Sequence, residues 1–118
     1  MIQTQYANEY PAFMSSYVPG VTPTVEVARV ITALASEFVS FNLRLIDADR
    51  ALSVVASENE NRMDDGGKII SSAKAKVMTE ASVEAADVNE LKIHKENIRI
   101  LIASLESLLK CLLDVPKA

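Results

Sequence analysis

Carboxylates collect in two places along this chain where a cation could be held. The first is "SENENRMDDGG" (57–67), which places Glu58, Glu60, Asp64 and Asp65 beside two glycines. A calcium loop of the EF-hand type needs oxygen-bearing side chains at its first, third and fifth positions, Gly at the sixth and Glu at the twelfth. With Gly66 as the sixth residue, Met63 falls third and Ser72 twelfth; with Gly67 there, Gly66 falls fifth. Both registers fail. The following "DDGGKIISS" lacks the glycine–lysine spacing of a phosphate cradle and puts acids where a phosphate would sit. The segment therefore reads as a solvated turn, with Asp64 or Asp65 capping the next helix.

The second place is Glu80, Glu84 and Asp87, at steps of four and three that share one helical face. Such a ridge, facing carboxylates from a partner helix, could hold Mg²⁺ or another small ligand in a helical bundle, as a hydrolase would need. No E-x-x-E pair on the first helix supplies the partner set, and one histidine cannot form the two E-x-x-H motifs of a di-iron bundle. His94 reads as a mid-helix side chain, packed or hydrogen-bonded. Within an interface between copies it would make association pH-sensitive. Cys111, the only cysteine, lies among leucines in "SLLKCLLDV" and reads as a buried thiol. No catalytic residue, metal ligand or cofactor site is assigned.

Composition narrows the class further. A net charge of −4 without a basic cluster gives no footprint for nucleic acid. A single cysteine cannot form an internal disulfide, and the expected compartment is the cytoplasm. No membrane partner is expected. The most apolar window, 98–113, is too short to span a bilayer and carries Arg99, Glu106 and Lys110. The first residues have neither the basic nor the continuous apolar part of a signal peptide, although export by another route would leave no such mark.

Helices must position all of these residues. After Thr22 as a cap and Pro23 at the first helical position, a stripe runs through Val27, Ile31, Leu34, Phe38, Phe41, Leu45, Ala48, Leu52 and Val55. Its steps alternate four and three, which predicts a helix from about 23 to 61. "VSFNLRL" (39–45) also alternates as a strand would, but four matches yield to nine. A second stripe runs from Ile70 through Ala73, Val77, Ala81, Val88, Leu91, Ile98, Ile102, Leu105, Leu109 and Leu112, ending before Pro116. "ADVNE" within it fits a capping box on Asp87 and Glu90, so a break is expected near 86–87 with the stripe in phase across it. Residues 1–21 carry Tyr6, Tyr10, Phe13 and Tyr17 but also Pro11 and a Pro19–Gly20 turn. They read as an irregular or partly helical arm ahead of a helical domain at 22–118, whose turn lies near 60–67.

The expected fold is all-α, a long antiparallel helical hairpin or small bundle. A helix from 23 to 61 would be about 58 Å long, whereas a compact chain of this size is only about 35 Å across. Elongation, a helix break or assembly must resolve that. Apolar side chains beyond the two coiled-coil-like seams favour assembly: Val39, Leu43 and Ile46 on the first helix, and Ile100, Leu101, Leu108, Leu113 and Val115 on the last. The expectation is a non-enzymatic interaction or assembly protein that forms a homo-oligomer, with a protein partner at the aromatic arm or the C-terminal helix end. The arm either covers the hairpin or docks that partner.

Overall fold

The structure, a computed structural model, describes residues 2–114. Val115 and Pro116, named above, lie outside the described residues. Among these there are four helices and no β-strand: α1 (Tyr6–Ser16), α2 (Thr24–Glu60), α3 (Ser72–Glu80) and α4 (Val83–Leu113). The chain divides into two units, and the division runs across the long helices. Of the described residues, unit 1 holds 2–41 and 94–114; unit 2 holds 42–93. The chain thus leaves unit 1 along α2 and returns to it along α4.

α2 follows the predicted bounds within a residue at each end, and every position of its apolar stripe is buried or half-buried. The Thr22 hydroxyl oxygen turns back to accept from the Val18 N–H (2.8 Å), closing the turn that precedes the helix. Gly20 in that turn has φ +77°, which a residue without Cβ adopts at no steric cost.

The core of unit 1 is made of large side chains: Tyr6, Phe13, Val27, Val30, Leu34, Phe41, Ile98 and Leu105 are all buried. Burial of each of the larger aliphatic or aromatic groups stabilises by about 1.5–3 kcal/mol. The arm is partly helical. Of the two readings, irregular or partly helical, the second is the one found: α1 forms an 11-residue helix with Pro11 inside it, followed by the turn. Pro11 lacks the N–H that would bond the Ala7 carbonyl. Two gains offset this loss. Tyr6 and Phe13 lie two turns apart, point the same way and are both buried. The Glu37 carboxylate of α2 also accepts the backbone N–H groups of Gln5 and Tyr6, the latter at 2.8 Å, and so caps α1 from another helix.

Unit 2 has a leaner core, with Ala75, Ala85, Val88 and Leu91 as its buried apolar residues. Asn59 is also buried, donating to Thr79 Oγ1 (3.0 Å), which donates in turn to the Ala75 carbonyl. This chain ties the end of α2 to α3.

Two details of the second stripe are corrected here. The break falls at Ala81–Ser82, and Asp87 sits inside α4. Ser82 serves both helix ends: its hydroxyl donates to the Thr79 carbonyl (2.6 Å) and accepts from the Ala85 N–H (3.2 Å). A serine that satisfies orphan groups on both sides outcompetes the Asp87 box. The stripe does not keep its phase across the break. Ala73, Val77 and Ala81 are exposed, and α3 instead buries Ala75 with Met78 and Thr79 half-buried. A separate nine-residue helix can rotate to its own best face, which one continuous helix could not.

Candidate functional site

The acidic segment is a turn, but Asp64 does a different job from the one expected. Its Oδ1 accepts from the N–H groups of Gly66 (2.9 Å) and Lys68 (3.0 Å). Its backbone pairs with Lys68 and Gly67, and Met63 bridges to Ile69. Gly67, at φ +77°, takes the left-handed position. The cap of α3 is Ser71, whose Oγ accepts from the Lys74 N–H (3.2 Å). Neither Asp64 nor Asp65 caps a helix.

The ridge of Glu80, Glu84 and Asp87 is divided by the break, since Glu80 ends α3 while Glu84 and Asp87 lie on α4. The single helical face that would have aligned all three is therefore not formed. Among the described residues no group of three or more His, Cys, Asp or Glu side chains could hold a metal ion. No helix among them is long and apolar enough to cross a membrane.

The most organised polar cluster lies in unit 1 and joins three helices. Tyr6 of α1 places its hydroxyl 2.6 Å from His94 Nδ1 of α4, and Asn97 Nδ2 donates to the same phenol oxygen at 3.2 Å. The Tyr6 and His94 rings meet edge to face at 5.7 Å, and Phe41 of α2 lies 5.6 Å from the histidine on a tilted plane. One turn of α2 earlier, the Phe38 ring carries the Lys95 ammonium at 5.5 Å. Glu37, beside Phe38, completes the junction through its cap on α1. In this cluster the Tyr6 hydroxyl links His94 and Asn97, and the Tyr6 and Phe41 rings lie against the histidine.

The aromatic residues of the arm separate by role. Tyr6 and Phe13 are buried, so the arm covers apolar surface of its own unit, while Tyr10 and Tyr17 are half-buried. Tyr17 stays beside Phe13, at 5.7 Å between rings. The surplus positions on α2 are open: Val39 is 56%, Leu43 61% and Ile46 50% exposed. On α4, Ile100 and Leu113 are exposed, whereas Leu101 and Leu108 are half-buried. Cys111 is exposed and not, as expected, buried, because α4 turns its 102–105–109–112 side inward.

Two clefts border unit 1. One, of about 310 Å³, lies between α1 and the start of α2, with Phe13 and Val30 on its floor and Glu9 and Glu26 on its rim. Arg29 pairs with Glu26 there at 3.1 Å. The other, an open groove of about 630 Å³ along the end of α4, is lined by Ala103, Ser107, Leu109 and Leu113.

Sequence reasoning missed the Tyr6–His94–Asn97 chain and the Glu37 cap. Their one local signal is that His94 and Asn97 share a helical face; nothing in the sequence points from either to Tyr6. No family model, no curated protein and no solved structure matches the chain.

Proposed function

We propose that this chain is a non-enzymatic helical interaction or assembly protein, in the manner of an adaptor, chaperone or assembly subunit, and that it self-associates. The observation that carries the reading is the exposure of Leu43 and Ile46, one turn apart on the part of α2 that lies in unit 2. Large aliphatic side chains in sequence at helical spacing are uncommon on free surfaces and usual in helix–helix interfaces. The single thiol, Cys111, is exposed and fits a reducing cytoplasm, where it stays unpaired.

Sedimentation analysis tests this reading. The parent chain is expected at twice 12.9 kDa or more. The double variant Leu43→Lys/Ile46→Lys should fall to one copy while its helical circular dichroism is retained, since neither side chain is in a core. A parent chain that sediments as a monomer refutes self-association. Deleting α1 is a poorer test, because Tyr6 and Phe13 belong to the core of unit 1.

A further inference from the structure

We draw no further inference here: the strongest candidate, the cleft between α1 and the start of α2 lined by Glu9 and by Glu26 with its partner Arg29, is open and nothing in the structure points to what would fill it.

Discussion

The Tyr6 hydroxyl lies 2.6 Å from Nδ1 of His94, a residue 88 positions further along the chain. This contact and the Glu37 cap fix α1 in place at its N-terminal end, while Phe13 holds its middle. The two kinds of contact are separable by mutation. Removing the phenol oxygen leaves the ring packing, and neutralising Glu37 leaves both aromatic side chains.

Tyr6→Phe is expected to lower stability by about 1 kcal/mol, the net worth of a partly buried hydrogen bond. Thermal melting of Tyr6→Phe, His94→Leu and the double variant forms a cycle. A coupling of about 0.5–1.5 kcal/mol supports the bond; strict additivity would show that the two side chains only pack.

Glu37→Gln keeps an acceptor near α1 but removes the charge that faces its N-terminal N–H groups. A loss of about 0.5–1 kcal/mol is expected from the weakened charge–dipole interaction. Hydrogen exchange should quicken across residues 7–16 more than in the first half of α2. Unchanged protection of α1 would mean that Glu37 is dispensable as a cap.

Pro11→Ala restores the N–H that can donate to the Ala7 carbonyl. The gain is offset in part by the greater freedom of alanine in the unfolded chain. A net stabilisation of about 1–2 kcal/mol follows from the interior-proline penalty. A fall in melting temperature would show instead that the proline ring itself packs.

Glu96 and Arg99 form an exposed pair one turn apart on α4, and the guanidinium hydrogen bond holds the Glu96 carboxyl below its ordinary 4.5. The folded value is the lower one, so the stabilisation is present above the unfolded value and lost as pH falls through the folded one. A carboxyl NMR titration should therefore show Glu96 moving up towards the ordinary value in Arg99→Gln. An unchanged midpoint would remove the pair as the cause.

Local pattern by itself determined the all-α class, the extent of α2, the inward stripe on both long helices and the polar turn. Each of these depends on side-chain period, proline and serine placement, or a glycine needed at positive φ, all of which act over a few residues. Periodicity could show a surplus of apolar positions on α2, but it could not tell which of them would stay open. Only the tertiary structure decided that Pro11 would lie within a helix, because the burial of Tyr6 and Phe13 and the cap from Glu37 come from elements distant in sequence. The same holds for His94, whose partner is fixed by how α1 docks. It holds also for the break at Ser82, where freeing α3 to turn its Ala75 face inward outweighed an apolar phase that looked continuous.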